Sequence, residues 1–351
     1  MTVARGDAAR AARHYRALAF RKTAVVLGAA TGLVAVLMID VLTGPSTLTA
    51  GEVLAALVSP SNDEATNVIV WTLRLPMALM GMVVGAALGA AGAQAQTILD
   101  NPIADPYTLG ISSAAGFGAA FSILFGAALP IDAVYLAPAC AFVCCVAACA
   151  MIYGMARLRR VDAETMILAG IAVLFLFHAL LSLMQYQASP EALQAIVFWL
   201  FGSLARASWT KVAVVSALFA AVLPVLMADA WRLTALRLGE ERARSLGIDV
   251  ERLRMRVFAC ISLLTAVAVC FVGTIGFVGL IAPHLARSLV GEDQRFFLPL
   301  SALMGGLLLS AASVASKSIV AGAVYPIGIV TALVGVPFFF LLIVHSRRKY
   351  W

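Results

Sequence analysis

The side chains with the strongest intrinsic chemistry in this sequence are six cysteines, four histidines and a small set of acids, and their spacing limits what they can do. Cys140, Cys144, Cys145, Cys149, Cys260 and Cys270 all lie inside apolar runs, with no Cys-x-x-Cys pair and no histidine at the interval of a metal site. They read as small packing residues, and no metal centre is expected. His284 has no second soft ligand near it in the chain and reads as structural. His178 stands alone in an apolar run, where hydrogen-bonded packing is a plainer role than a proton relay. A phosphate loop needs Gly-x-x-x-x-Gly-Lys-Ser/Thr, yet Lys22 and Lys317, the lysines followed by Thr or Ser, do not follow glycine. The acids gather near the ends of apolar runs, as Asp40, Asp162, Glu164 and Asp229 do, instead of at the depth where an ion-coupled carrier keeps its ionisable groups. Nor does the sequence show the constellation of nucleophile, base or metal ligands that an intramembrane enzyme would need. An ion-gradient-driven secondary transporter therefore ranks below a non-catalytic chain driven by a partner motor.

The elements that carry these residues are set by composition. Of 351 residues, 62% are apolar and 12% charged, against about 45–50% and 25% in soluble domains. The charges interrupt apolar stretches of about 20 residues, the length that crosses the hydrocarbon core as a helix. The fold class is an all-α integral membrane protein with about ten transmembrane helices, near 23–42, 76–98, 110–129, 134–156, 164–184, 209–231, 254–273, 275–290, 296–314 and 327–345. Residues 190–205 are apolar but too short to cross, and read as a half-helix or re-entrant segment that is buried in protein or lines a cavity. Residues 1–22 are rich in Arg and Ala, lack a cleavable signal pattern and read as a cytoplasmic N-terminal tail. The transmembrane domain is 23–345, and 346–351 is a C-terminal tail.

The net charge of +7 would suggest nucleic acid in a soluble protein. Here the basic residues flank spans, so they report topology, and the lipid bilayer is the expected surroundings. With ten spans, 21 of the 25 Lys and Arg residues fall on one side, including Arg157, Arg159 and Arg160, while Arg74, Arg206, Lys211 and Lys317 fall on the other. The positive-inside bias then puts both termini of this multi-pass protein in the cytoplasm. Five plus five spans would make any internal repeat an inverted one, although no sequence match between halves is visible. Gly81, Gly85, Gly89 and Gly92 share one face of the second span, a small-residue stripe that lets helices approach closely and predicts a central position in the bundle.

From about Arg74 to the C-terminus, several segments resemble the iron-chelate, haem and cobalamin permease family of type II ABC importers. Arg74-Leu75-Pro76 opens the second span, followed by the small-residue run through Gly92 and Gln94. Asn101-Pro102-Ile103-Ala104-Asp105-Pro106-Tyr107-Thr108-Leu109-Gly110-Ile111-Ser112-Ser113 is similar to the family's loop between the second and third spans. Its Asn-Pro and Asp-Pro steps disfavour helix, and Gly110 and the serines restart one. Leu238-Gly239-Glu240-Glu241-Arg242-Ala243-Arg244-Ser245-Leu246-Gly247, within a region of about 237–250, looks like the family's coupling helix: short, bounded by glycines, with charged flanks and a small residue at the contact. Gly273-Thr274-Ile275-Gly276-Phe277-Val278-Gly279-Leu280-Ile281-Ala282-Pro283-His284 and the run from Tyr325 to Phe339 resemble the family's later signatures. Glycine there permits a tight turn and Pro283 a kink.

The resemblance implies a type II importer permease acting as a homodimer, with two ATP-binding subunits that hold ATP and Mg, and a periplasmic substrate-binding protein. This chain would bind no cofactor. Leu238 to Gly247 would couple to the ATPase, and Asn101, Pro102 and Asp105 would form the inner gate. Arg74 and Lys317 would dock the binding protein, and the segments 164–184 and 190–203, with Tyr186, Phe198 and Trp199, would supply the pathway. A ferric siderophore is the first expected cargo, which the run Tyr107 to Gly110 slightly favours, with haem and cobalamin as alternatives. The departures are Met77 at a second docking arginine, Lys317 in place of a third, Ser313 for the usual Asp and Tyr325 for the usual Glu; lysine keeps the charge but loses the bidentate fork.

Overall fold

The computed structural model describes residues 2–46, 48–59, 63–126, 133–158, 162–320 and 322–345, without the side chains of 2–15, 133–134, 342–343 and 345. Arg159, Arg160 and the tail 346–351 lie outside the described residues. All regular elements among the described residues are helices: α1 (Thr2–Leu42), α2 (Ala50–Val58), α3 (Glu64–Asn67), α4 (Leu75–Ile98), α5 (Ile111–Phe125), α6 (Ala133–Leu158), α7 (Ala163–Gln187), α8 (Pro190–Leu200), α9 (Trp209–Ala228), α10 (Ala230–Leu236), α11 (Glu240–Ser245), α12 (Val250–Val272), α13 (Val278–Val290), α14 (Gln294–Ser318) and α15 (Ile327–His345).

Among the described residues, seven stretches are long and apolar enough to cross a bilayer: Arg16–Leu42, Glu64–Ile98, Tyr135–Leu158, Ala163–Gln187, Trp209–Ala228, Val250–Val272 and Gln294–Ser318. The shorter apolar helices α5, α13 and α15 stand where the other three of ten expected spans fall, and α8 is the short piece expected after the fifth. The chain is an all-α integral membrane protein. Helix α1 is continuous through the expected N-terminal tail. Many of the acids at span ends have a local reason to be there. Asp162, Asp249 and Asp293 accept hydrogen bonds from the first-turn amides of α7, α12 and α14, donors that would otherwise be orphaned.

Three expected boundaries move, each for a local reason. The second span does not open at Arg74-Leu75-Pro76, because helix runs unbroken over Glu64–Ile98. Val68–Arg74 winds as a π-helix and the Leu75 N–H donates to Val70 O, five residues back. The wider turn accommodates Pro76, which has no N–H and would crowd a regular turn. The span near 209–231 ends at Ala228, where the Asp229 carboxylate accepts from Arg232 at 2.5 Å and Arg256 at 3.1 Å and fixes the break before α10. The span near 275–290 starts at Val278, because 273–277 is a loop: Gly273 sits at φ 80° with Trp199 O only 2.5 Å from where a Cβ would stand.

Helix α4 is the central rod, buried at nearly every position from Val84 to Ile98 and packed against α14, α13, α12 and α9. The glycine stripe acts as its spacing suggests. A Cβ on Gly85 would lie 2.3 Å from Gly305 O, and one on Gly92 would lie 1.9 Å from Gly279 O, so backbone meets backbone. Cys145, Cys149 and Cys270 are buried in the main core with α5, α6 and α12, and all six cysteines are free thiols. Helix α1 flanks α14 and runs parallel to it, which brings Asp40 and Lys317 to one end of the bundle, while the C-terminus of α4 and α11 lie at the other.

Candidate functional site

The α11 end is built around a six-residue helix held between two swivels. Gly239 at φ 108° and Gly247 at φ 80° adopt conformations that L side chains resist, and they bound α11 on both sides. Glu240 and Glu241 sit at its N-terminus and Arg242 and Arg244 at its C-terminus, the arrangement that suits the helix dipole. Leu238, Glu241, Arg242, Arg244, Ser245 and Leu246 are exposed. Ala243 is fully buried in the main core, and its carbonyl accepts from Ile248 N–H at 3.1 Å. The small residue of α11 is thus the foot on which the helix stands against this chain. The apolar groups facing away are Leu238 and Leu246.

Charged side chains tie this segment to its neighbours. Arg254, the fifth residue of α12, is 2% exposed; its Nε donates to Ile98 O at 2.9 Å and its Nη2 to Glu240 Oε1 at 2.5 Å. Arg237, just ahead of α11, donates to Asp100, and to both Glu292 carboxylate oxygens at 2.6 and 3.1 Å. Burial works to lower the Arg237 guanidinium, but its bonds to Glu292 and the charges of Glu292 and Asp100 outweigh it and hold it above its ordinary value. Burial works to raise the Glu292 carboxyl, and Arg237 and Arg287 more than offset it. Arg287 Nη2 in turn donates to Gln96 Oε1 at 2.9 Å, while Gln94 Nε2 donates to Gln294 Oε1 and Gln294 Nε2 to Thr97 Oγ1, each at 2.9 Å.

The loop after α4 is folded on itself. Asp100 stands at φ 44°, Asn101 Oδ1 accepts from Ile103 N–H at 3.0 Å, Pro102 follows, and Asp105 Oδ1 accepts from Tyr107 N–H at 3.0 Å. Gly110 at φ 78° opens α5 where a Cβ would sit 2.6 Å from the Leu174 backbone, so α7 presses on the end of the loop. Burial pushes Asp105 up to about 6, against the pull of the Tyr107 amide. Its carboxylate borders a cleft of about 580 Å³ lined also by Tyr107, Thr108, Phe201, Thr274 and Phe277. That cleft is where the loop, the end of α8, the turn before α13 and the start of α15 meet. Thr274 Oγ1 donates to Leu200 O and Ser203 N–H to Val272 O at 2.7 Å, so the α8 segment is stitched to that turn.

The pathway candidates separate. Tyr186 and Phe198 are exposed, with the Phe198 ring edge-on to Phe201 at 6.1 Å. Trp199 is 5% exposed and packs into the main core, so its role in the fold is packing. At the opposite end, Arg74 and Lys317 do not stand free. Arg74 Nη1 donates to Leu42 O at 2.9 Å and Val41 O at 3.3 Å, and Nη2 to Ser46 Oγ at 2.5 Å. Lys317 Nζ donates to Asp40 Oδ1 at 2.8 Å and Asp40 O at 3.1 Å. Both cations are spent on the end of α1, which sequence reading did not foresee because nothing local joins residues 277 positions apart. Arg206 is exposed at that end, with Lys211 Nζ donating to its carbonyl at 2.8 Å.

Arg254 was also missed, though it carries a signal: it lies on the apolar face of α12, in helical register with Val250, Val257, Phe258 and Ile261. A lone arginine on an apolar stripe needs a buried partner.

Residues 32–345 match the model of the FecCD transport family. The chain is 38% identical over 281 residues to a cobalamin import system permease protein of Halobacterium salinarum, covering 80% of this chain and 74% of that one. It is 35% identical over 292 residues to a hemin transport system permease protein of Yersinia pestis, covering 82% and 87%. A solved structure described as an inward-facing conformation of a metal-chelate type ABC transporter matches with a TM-score of 0.80 at 31% identity, covering 92% of this chain and 99% of that one.

Proposed function

The chain belongs to the FecCD transport family, and from that premise, which makes it the permease of a metal-chelate type ABC importer, we propose that it takes an iron chelate, first a ferric siderophore, from a periplasmic binding protein into the cytoplasm by alternating access. Two copies enclose the pathway, and two ATP-binding subunits, which hold ATP and Mg, seat on α11 of each copy. This chain performs no covalent step. The α11 end faces the cytoplasm, as do both termini, in the inner membrane. Leu238 and Leu246 supply the apolar contact to the ATPase, and Glu241, Arg242 and Arg244 its charged rim. Asn101, Pro102 and Asp105 form the inner gate, and Tyr186 and Phe198 face the passing chelate. Arg74 and Lys317 serve docking of the binding protein through the end of α1 that they hold, with Arg206 as the exposed cation.

The observation that carries this reading is the glycine-bounded α11, standing on the core through Ala243 and bonded through Glu240 and Arg254 to the end of α4. That is a lever: a surface handle whose movement reaches the loop after Ile98. The relatives named for cobalamin and hemin keep those chelates as the second reading of the cargo. The test is co-purification with the ATP-binding protein encoded beside this chain, then ATPase and uptake assays in liposomes. Binding proteins loaded with ferric siderophore, haem or cobalamin are added in turn. Stimulation by the siderophore-loaded protein alone supports the proposal. Stimulation by haem or cobalamin moves the cargo, and uptake driven by an ion gradient without any ATPase overturns it.

A further inference from the structure

We propose that Arg254 is the positioning residue that carries movement of α11 to the loop behind α4, a role that rests on reading α11 as the ATPase contact and that loop as the gate. Its guanidinium is the meeting point of three elements. It is anchored on α12, its Nε donates to Ile98 O at 2.9 Å, and its Nη2 donates to Glu240 Oε1 at 2.5 Å. Ile98 is the last residue of α4, so the bond takes one of the carbonyls that a helix end leaves without an internal partner. Glu240 is the first residue of α11, directly after the Gly239 swivel. When α11 tilts, the carboxylate moves with it, and the guanidinium must follow or lose a charge-assisted bond in a partly buried site.

The geometry favours transmission over simple bracing. The Arg254 side chain is 2% exposed while Glu240 is 37% exposed, so the bond has one sealed end and one end open to a docked partner. The planar fork lets one group address two acceptors in fixed directions, which a lysine cannot reproduce. A second link runs in parallel, because Arg237, on the other side of Gly239, bonds Asp100 two residues beyond Ile98. Both links therefore end on the α4 terminus and the residues that lead into Asn101, Pro102 and Asp105. Arg237 also leans on Glu292 between α13 and α14, which gives the assembly a fixed reference while α11 moves.

The test uses the permease reconstituted with its ATP-binding subunits in liposomes, measuring chelate taken up per ATP hydrolysed together with the thermal midpoint. Arg254→Lys keeps the charge and removes the fork. Uptake per ATP is expected to fall about tenfold, the size expected for one lost charge-assisted hydrogen bond, while the ATPase still co-purifies. Glu240→Ala breaks the same link from its exposed side and should lower uptake per ATP similarly, and the double variant should be no worse than either single one. Parental uptake per ATP in Arg254→Lys overturns the proposal, and if that chain does not fold, parental uptake per ATP in Glu240→Ala overturns it equally. Failure of the underlying reading looks different: the parent chain itself then shows no ATP-dependent uptake.

Discussion

Lys317 and Arg237 are both cations paired with carboxylates at the ends of the helix bundle, yet their surroundings differ. Lys317 and Asp40 have side chains 2% and 0% exposed, and the neighbouring Arg74 gives two of its bonds to backbone carbonyls of α1. Arg237 is 18% exposed, and its partners Glu292 and Asp100 are 39% and 81% exposed. A sealed pair is costly to separate because each charge would be left without water or partner, whereas a half-open pair can exchange partners with solvent at little cost. The Asp40 end is welded. The α11 end is articulated, and the coupling proposed for it needs that difference.

The largest effect that tests this contrast is at the welded end. Lys317→Ala leaves Asp40 charged and buried, and should destabilise the protein by about 3–5 kcal/mol, seen as a fall in thermal midpoint in detergent. Adding Asp40→Ala should return most of the loss, because the pair is then removed together. A Lys317→Ala chain as stable as the parent would show that the seal is not what holds this end. Next is Asp105, in the loop between α4 and α5, whose carboxyl is raised from 3.8 to about 6 by burial. A raised carboxyl favours folding below its unfolded value, and that contribution is lost as pH climbs through about 6. At pH 7.5 the ionised, buried group costs up to about 3 kcal/mol by this shift. Asp105→Asn should therefore be more stable than the parent at pH 7.5, with the gap closing as pH falls below 6. A pH-independent difference would mean the carboxyl is not buried in the folded state.

These two sites also mark how far the sequence could be read. The helical membrane fold, the short piece at α8, the central place of α4 and the glycine-bounded α11 follow from local patterns: apolar length, small-residue spacing, and glycine where positive φ is needed. What escaped was tertiary. The Asp40–Lys317 pair, the capture of Arg74 by α1 and the bond from Arg254 to Ile98 join residues far apart in the chain, and no spacing rule reports them. The second span begins ahead of Pro76, which looks like a boundary in the sequence, because the π-turn at Val68–Arg74 absorbs it. At Ala243 the sequence shows that the residue is small but not that it is buried against this chain.

Between the two ends, α4 is packed backbone to backbone against α13 and α14, so it should be intolerant of added bulk where backbones touch. Gly92→Ala places a Cβ 1.9 Å from Gly279 O and should cost about 1–3 kcal/mol as overpacking. Gly28→Ala in α1, where nothing lies within 4 Å of the new Cβ, is the matched control and should be neutral or slightly stabilising. Equal effects of the two changes on the thermal midpoint would contradict the close crossing of α4 and α13.

The smallest effect is the sharpest test of an articulated end. Arg244 and Glu240 form a pair at 3.3 Å one turn apart on α11, with side chains 56% and 37% exposed. Water competes for both groups, and a pair at this spacing on an exposed helix is worth about 0.3–0.5 kcal/mol. Arg244→Ala should thus leave the thermal midpoint almost unmoved. It also removes the other arginine that shares the Glu240 carboxylate, so the Arg254 bond should lose nothing. Stability lost on the scale of the Lys317→Ala chain would mean that α11 is fixed as firmly as the Asp40 end, and a helix so fixed could not serve as a lever.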